Sequence, residues 1–334
     1  MCSDRAPRHP GGMQTRDFGS FGRVSALTLG GGGIGAVWGA VDRAEAVATV
    51  RAALDGGIDH IDVAPTYGPG EAELVVGEAL GGTVPDGVRI TTKVALPEGE
   101  PAELRRTIEE SLRASFERLR TDHVDLLLCH SQIAPAGAPV PPHLLGIERF
   151  REVVRPAFER LRESGAIGGW GLTGVGHPRA LRELLREEPR PYGIQCVANA
   201  LDLSGNMWAL GADEQPDNQG VIDTAVLCGV PVIGIRAVAA GSLADALDRS
   251  VEPGDPAAAD FAAAEGFRRL AAERGEPAAV LAHRYALTLP ELATVVLGVK
   301  NRAELAECLA AEAAGPLDDE AMGAIARLRA AVPA

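Results

Sequence analysis

Residues 57–80 read GIDHIDVAPTYGPGEAELVVGEAL, and they contain one complete structural unit. His60–Asp62 closes a short apolar run suited to a buried strand, and Pro65, Gly68, Pro69 and Gly70 punctuate a turn. From Glu71 to Leu80 the apolar residues Ala72, Val75, Val76 and Ala79 recur at three- and four-residue spacing, the period of a helix. Working outward, the same order of strand, turn and helix recurs along the chain. The other strand candidates are Ala26–Gly30, Arg89–Val94, Val124–His130, Ala166–Leu172, Gly193–Val197, Val230–Ile235 and Thr294–Val299. The amphipathic segments between them are Arg43–Leu54, Ala102–Leu119, Ile147–Glu163, Pro178–Glu187, Val221–Leu227, Phe261–Arg274 and Ala303–Ala313. Strict alternation implies a parallel sheet, and eight units close a barrel. The expectation is an α/β chain folded as a (β/α)8 TIM barrel.

Two helical pieces, Ala278–Leu287 and Asp319–Ala331, are surplus to that count and are expected outside or beneath the barrel as extra C-terminal helices. The stretch Met13–Val24, with Gly19 and Gly22, reads as an N-terminal hairpin plugging the bottom. Residues 1–12 read as a disordered tail, with Met13 as an alternative start, and residues 13–334 as one domain. Three connections, Ser131–Gly146, Ala200–Gly220 and Arg236–Asp260, exceed simple turns and follow strands, which places them on the C-terminal face where barrel active sites lie.

The bulk numbers narrow the function classes. Of 334 residues, 46% are hydrophobic and 23% charged, enough apolar material for a large core. With 32 basic and 46 acidic residues the net charge is −14, which argues against nucleic acid and anionic membrane surfaces as partners. Cys2, Cys129, Cys196, Cys228 and Cys308 are scattered without a CxxC pair, the pattern of reduced cytosolic thiols rather than of disulfides or a metal site. No apolar run reaches membrane-spanning length, so the expected location is the cytoplasm.

Four polar residues end consecutive strands or follow them closely: Asp62 and Tyr67 in IDHIDVAPTYG, Lys93 in RITTKV and His130 in VDLLLCH. A barrel brings successive strand ends to one mouth, so these side chains can converge. A phenol with a pKa of roughly 10 is a poor proton donor to a developing alkoxide. A neighbouring ammonium favours the phenolate, and a carboxylate can hold that ammonium in place. A histidine can donate to the carbonyl oxygen and orient it. Alone, each residue has a plainer role: turn or cap for Asp62, solvated charge for Lys93, rim packing for Tyr67, satisfied core polar for His130. Their order on strands two, three and four is what favours a joint site.

With these residues in view, the chain from Met13 onward resembles the aldo-keto reductase superfamily. The similar blocks, in family order, are RVSALTLGGGGIGAVWG, GIDHIDVAPTYGPGEAELVVGEAL, LRASFERLRTDHVDLLLCH and VVLGVKNRAELAECL. GLTGVGHPRAL and GIRAVAAGSL are most similar to the bacterial branch of aldose and galactose 1-dehydrogenases. The resemblance implies that Asp62, Tyr67, Lys93 and His130 form the catalytic tetrad, with Tyr67 as general acid/base. It implies a bound NAD or NADP, with Thr173 and Gln195 (and Asp62 beside them) near the nicotinamide carboxamide. The Ala239–Leu243 segment, with Ala239, Gly241, Ser242 and Leu243, would wrap the pyrophosphate. Gly298, Val299, Lys300, Glu304, Glu307 and Cys308 would hold the adenosine end, and Gly33 and Ile34 would let the cofactor lie against a strand end.

The departures from the family pattern are specific. Thr173–Gly174 stands where Ser–Asn is usual, and Ile235 followed by Arg236 replaces a stacking aromatic. Arg236 reads either as a phosphate grip or as a structural ion-pair partner. Glu304 and Cys308 replace the usual amide-bearing or basic residues. Glu304 favours NAD by accepting from ribose hydroxyls, whereas Lys300 and Arg302 could reach a phosphate. Trp38, His143, Met207 and Trp208 lie in strand-following loops and are the candidate walls of a substrate pocket.

Three functions are compatible with this pattern. The first is a nicotinamide-dependent oxidoreductase acting on a carbonyl or a sugar-like alcohol. The second is a non-catalytic, nucleotide-binding auxiliary subunit, against which the intact tetrad argues. The third is C=C reduction, which goes with an acid in place of the histidine. The expected partner is a small-molecule carbonyl or alcohol, without metal, and a homo-oligomer remains open.

Overall fold

The computed structural model describes residues 12–203, 215–247, 249, 251 and 256–332. Eight parallel strands close into a barrel in chain order: β1 (Leu27–Gly30), β2 (His60–Asp62), β3 (Arg89–Val94), β4 (Val124–Cys129), β5 (Ile167–Thr173), β6 (Ile194–Val197), β7 (Val232–Ile235) and β8 (Leu292–Leu297). The expected TIM barrel is therefore present, each strand within one or two residues of the sequence reading. The largest apolar cluster lies between the barrel's outer face and its helices, as β4 illustrates: Leu127 belongs to that cluster. Leu126 and Leu128, pointing the other way, pack inside with Ile233 and Phe18.

Phe18 comes from the hairpin that pairs Thr15–Asp17 with Arg23–Ser25, and it closes the barrel's lower end. Above it lies a polar layer. His60 Nδ1 is 3.0 Å from Thr28 Oγ1 and its Nε2 is 2.7 Å from Thr91 Oγ1, while Thr28 Oγ1 is 2.7 Å from Thr294 Oγ1. Burial, followed by the charges of Arg89 and Lys93, pulls the His60 pKa down to about 3, so this imidazole is neutral.

The helical layer differs from the sequence reading in two places. Ile147–Glu163 is not one uninterrupted α-helix: a π-turn at Phe150–Val154 separates a short Ile147–Arg149 turn from Arg155–Glu163. Pro156 lacks the N–H that a regular helix would need there, and the wider turn absorbs the mismatch. Between β7 and β8, the helix that packs on β8 and on Arg302–Ala314 is Ala278–Thr288. The expected barrel helix, Phe261–Arg274, is instead split into Pro256–Ala263 and Glu265–Arg274. Its second half lies outside Ala278–Thr288 and against Asp319–Ala330. Glu265–Arg274 buries only Phe267 and Ala271, whereas Ala278–Thr288 buries seven of its residues.

Apart from Gly12, the tail assigned to residues 1–12 lies outside the described residues. No described helix is long and apolar enough to cross a membrane. Among the described residues no group of three or more His, Cys, Asp or Glu could hold a metal ion. Cys129, Cys196, Cys228 and Cys308 are free thiols, and Cys2 lies outside the described residues.

Candidate active site

The alternation that points Thr91 inward does the same for Lys93 two residues later, and that of His60 for Asp62. Both rise above the polar layer toward the barrel's C-terminal mouth. Lys93 Nζ donates to Asp62 Oδ2 at 2.7 Å and to the Val63 carbonyl at 2.9 Å. Gln195, inward-facing on β6, donates through Nε2 to Asp62 Oδ1 at 2.9 Å. Both carboxylate oxygens are thus occupied, which a charge buried this deeply requires. Burial by itself pulls the Lys93 pKa down, but the Asp62 carboxylate and Tyr67 outweigh it and hold it above the usual lysine range. The ammonium lies 4.6 Å from the centre of the Tyr67 ring.

Tyr67 belongs to the turn after β2, and its backbone is pinned from both sides. Its N–H donates to the Ala64 carbonyl at 3.1 Å, and its own carbonyl accepts from Ala72 at 3.2 Å. The next residue must be glycine. Gly68 has φ +62°, and a Cβ there would fall 2.0 Å from the Gly35 carbonyl oxygen. The β1 and β2 loops therefore meet backbone to backbone under the tyrosine. His130, just past β4, meets the Tyr67 ring edge-on, with centroids 5.9 Å apart. Its Nδ1 lies 3.5 Å from Thr66 Oγ1. Burial, then the Lys93 charge, lowers the His130 pKa to about 3, so the ring is a neutral hydrogen-bonding group. Cys129 beside it is not activated, because burial pushes its thiol up to about 11.

These groups line a cavity of about 690 Å³ at the strands' C-terminal ends, within the roughly 300–1,000 Å³ range of small-molecule sites. Asp62, Tyr67 and His130 line it, and Lys93 stands behind Asp62. So do Thr173, Gln195, Arg236, Gly241, Gly298, Val299, Lys300, Glu304, Glu307, Cys308 and Trp38. Thr173 Oγ1 donates to the Cys129 carbonyl at 3.1 Å. Six other candidates do not line it. Gly33 is closed off because a Cβ there would sit 2.0 Å from the Val299 carbonyl oxygen; its role is close packing of the β1 loop on the end of β8. Ile34 is a core residue, and Ala239 and Leu243 point into the second apolar cluster. His143 is exposed on the connection after β4. Ser242 is buried beside cavity-lining Gly241, and its Oγ is the one buried side-chain polar atom among the described residues without a hydrogen-bond partner. Met207 and Trp208 lie outside the described residues.

The sequence reading missed part of the cavity wall. Ala279, Val280 and His283 line the cavity from a helix it had placed outside the barrel. Arg249 lines it as well, and Gln195 serves as a clamp on Asp62. The loop after β7 carries a run of left-handed non-glycine residues, Arg236 (φ 60°), Ala239 (φ 46°) and Ala240 (φ 55°). Such strain is typically held where a ligand is bound.

At the start of Arg302–Ala314, Asn301 and Glu304 form a reciprocal cap. Asn301 Oδ1 accepts from the Glu304 N–H at 2.9 Å, while the Glu304 carboxylate accepts from Asn301 Nδ2 at 3.1 Å and from the Lys300 N–H at 2.8 Å. Lys300 Nζ lies 3.7 Å from the same carboxylate. Arg302 is turned away, donating to Glu45 through Nη2 at 2.8 Å and Nε at 3.1 Å. Both cations that the sequence offers for a phosphate thus face carboxylates.

The family model for the aldo/keto reductase family matches residues 26–330. The chain is 26% identical over 309 residues to L-galactose dehydrogenase of Arabidopsis thaliana, covering 90% of this chain and 88% of that protein. It is 30% identical over 187 residues to D-threo-aldose 1-dehydrogenase of a Pseudomonas species, a match spanning 48% of this chain and 54% of that protein. Among solved structures, an aldo-keto reductase of Bacillus halodurans in its holo form superposes with a TM-score of 0.68. It covers 95% of this chain and 96% of its own at 22% identity, a likeness of fold.

Proposed function

The chain belongs to the aldo-keto reductase family and is an NAD(P)-dependent oxidoreductase; from that premise we propose that it oxidises or reduces the C1 position of a sugar-like aldose, with Tyr67 as general acid/base. The observation that carries the proposal is the chain of contacts Gln195–Asp62–Lys93 ending beside the Tyr67 ring. Asp62 holds Lys93, and the ammonium stabilises the negative charge Tyr67 takes on when its proton leaves. His130, neutral, offers a hydrogen bond to the substrate oxygen and fixes its approach to Tyr67. In the oxidative direction the same phenolate accepts the hydroxyl proton.

The residues present fit a nicotinamide dinucleotide. The cavity is large enough, and the orphaned Ser242 hydroxyl lies in the strained segment after β7, next to the cavity wall. When bound, the nicotinamide supplies or takes the hydride. Thr173 and Gln195 would orient its ring, Gly241 and Ser242 would meet the pyrophosphate, and Glu304, Glu307 and Cys308 would meet the adenosine. Because Lys300 and Arg302 face Glu304 and Glu45, the reading favours NAD over NADP. We take residues 13–334 as one catalytic domain, and the names of the two sugar dehydrogenase relatives support the substrate class. The test is a fluorescence titration with NADH and NADPH, followed by initial rates on aldoses and on simple aldehydes with the preferred cofactor. Aldoses should give the higher kcat/KM. Equal or better rates on simple aldehydes would contradict the C1-sugar assignment.

A further inference from the structure

Thr92 and Lys93 are neighbours on β3 and therefore point to opposite faces of the barrel wall. Lys93 reaches inward to Asp62, and Thr92 reaches outward to the helix Glu71–Leu80. There its Oγ1 donates to Glu73 Oε1 at 2.6 Å, and the other carboxylate oxygen, Oε2, accepts from Arg118 Nε at 2.6 Å. Thr92 and Glu73 are both 0% exposed. Arg118, near the end of the helix Pro101–Leu119, lays its side chain against Gly70, where a Cβ would fall 2.7 Å from its Cδ. Gly70 ends the turn that carries Tyr67 and caps the helix that carries Glu73.

These contacts close a circuit around Tyr67. Its carbonyl accepts from the Ala72 N–H at 3.2 Å, and the Gly68 carbonyl accepts from the Glu71 N–H at 3.0 Å, so the turn is continuous with the start of the helix. Glu73 stands in the first turn of that helix and grips β3 through Thr92. One residue further along β3, the Lys93 ammonium returns to the Tyr67 ring at 4.6 Å. Stability alone is a poor reason for a carboxylate here. Val75 and Val76 of the same helix belong to the apolar core, and a well-packed apolar side chain in place of a buried ion pair is often neutral or stabilising. What a buried, hydrogen-bonded carboxylate adds is direction. Thr92 and Arg118 each meet one of its oxygens, which fixes the helix against β3 in a single register.

We propose that Glu73, Thr92 and Arg118 are positioning residues for the proton transfer: they hold the Tyr67 turn against the strand that carries Lys93, and so set the distance between the ammonium and the phenol. The proposal rests on reading Tyr67 as the proton donor. None of the three lines the cavity, so they act through Tyr67 and Lys93 and touch neither substrate nor cofactor. Without the Thr92 hydroxyl, Glu73 Oε1 loses that donor and the Tyr67 turn loses its fixed register on β3. A shift of a reacting group by about 1 Å, caused by a change outside the site, can cost about 10²-fold in rate.

The experiment measures single-turnover rates at saturating cofactor and substrate for the wild type, Thr92→Val, Thr92→Ser, Tyr67→Phe and the double variant Tyr67→Phe with Thr92→Val. The substrate is whichever of an aldose and a simple aldehyde the wild type turns over faster, and cofactor dissociation constants are measured on the same proteins. Valine keeps the shape of threonine and loses the hydroxyl, whereas serine keeps the hydroxyl and loses the methyl group. Thr92→Val should slow the chemical step by about 10–100-fold, with cofactor affinity changed by less than about twofold, and Thr92→Ser should recover most of the rate. Because the effect runs through Tyr67, the double variant should be within about twofold of Tyr67→Phe alone. Thr92→Val at the wild-type rate overturns the proposal. So does Thr92→Ser as slow as Thr92→Val, or a double variant slowed by the product of the two single effects. If Thr92→Val does not fold, Arg118→Lys takes its place, since that side chain is 24% exposed at its end of the network. A rate lowered by about threefold or more with unchanged cofactor affinity then supports the proposal, and wild-type turnover overturns it. Failure of the Tyr67 reading is seen separately: Tyr67→Phe alone turns over at the wild-type rate, and the proposal falls with it.

Discussion

Replacing Lys93 by methionine separates the structural weight of the buried ion pair from its chemistry. The side chain is 1% exposed and that of its partner Asp62 is 3% exposed, so water screens neither. Methionine fills a similar volume but removes the bonds to Asp62 Oδ2 at 2.7 Å and to the Val63 carbonyl at 2.9 Å. The Asp62 carboxylate is then left in the barrel with Gln195 as its remaining side-chain hydrogen-bond donor among the described residues. Breaking a buried pair from one side costs about 3–5 kcal/mol, because an uncompensated charge remains. At about 2.1 cal/mol/K per residue over 334 residues, the unfolding entropy is about 0.7 kcal/mol/K, so the melting temperature should fall by about 4–7 °C. Calorimetry reads this directly, and a second variant, Lys93→Met with Asp62→Asn, should recover much of the loss since no charge remains buried. A loss below about 1 kcal/mol, the worth of an exposed pair, would refute the claim that Lys93 and Asp62 form a desolvated unit.

Other consequences follow from the same geometry. His60 is neutral in the fold, with a pKa of about 3, but titrates near 6.5 once unfolded. The unfolded chain therefore binds the extra proton, and stability present above pH 6.5 is lost as pH falls toward 3. Between pH 7.5 and 5.5 this one residue should remove about 1.4 kcal/mol in urea unfolding, and a pH-independent transition would contradict its neutral state. Glu304→Arg removes the carboxylate that faces Lys300 and should move the NADP-to-NAD ratio of kcat/KM values upward by tenfold or more. Because Glu304 also completes a helix cap, the variant should lose about 1 kcal/mol of stability as well. An unchanged cofactor ratio would make Glu304 a capping residue alone.

The barrel could be read from the sequence because a strand buried on both faces leaves a short, almost continuous apolar run, as VDLLLC does, and each such run is followed by a helical period. The seventh helix could not. Glu265–Arg274 lies on the outside and shows a clear polar face, which makes it resemble a barrel helix. Ala278–Thr288 is enclosed by the second layer of helices, so its sequence lacks that contrast and the residues it gives to the cavity went unrecognised. At the mouth, Asp62, Lys93 and His130 could be placed because strand ends fix them. The stacking of Arg236 and Arg249 on Trp38 could not, because it depends on the left-handed turn at Arg236, which no residue preference announces. The turn after β7 likewise decides which of its residues face the cavity: it buries Ser242 and Leu243 and exposes their neighbour Gly241 to it.

The central claim is that Tyr67 moves the proton, and Tyr67→Phe tests it most directly. The phenyl ring keeps the edge contact with His130 and the place beside Lys93 but loses the hydroxyl. Single-turnover rates on an aldose that the wild type accepts, measured with NADH dissociation constants on both proteins, separate chemistry from binding. The rate should fall by about 10²–10⁴-fold with cofactor affinity unchanged within about twofold. A variant that turns over at the wild-type rate would contradict the account.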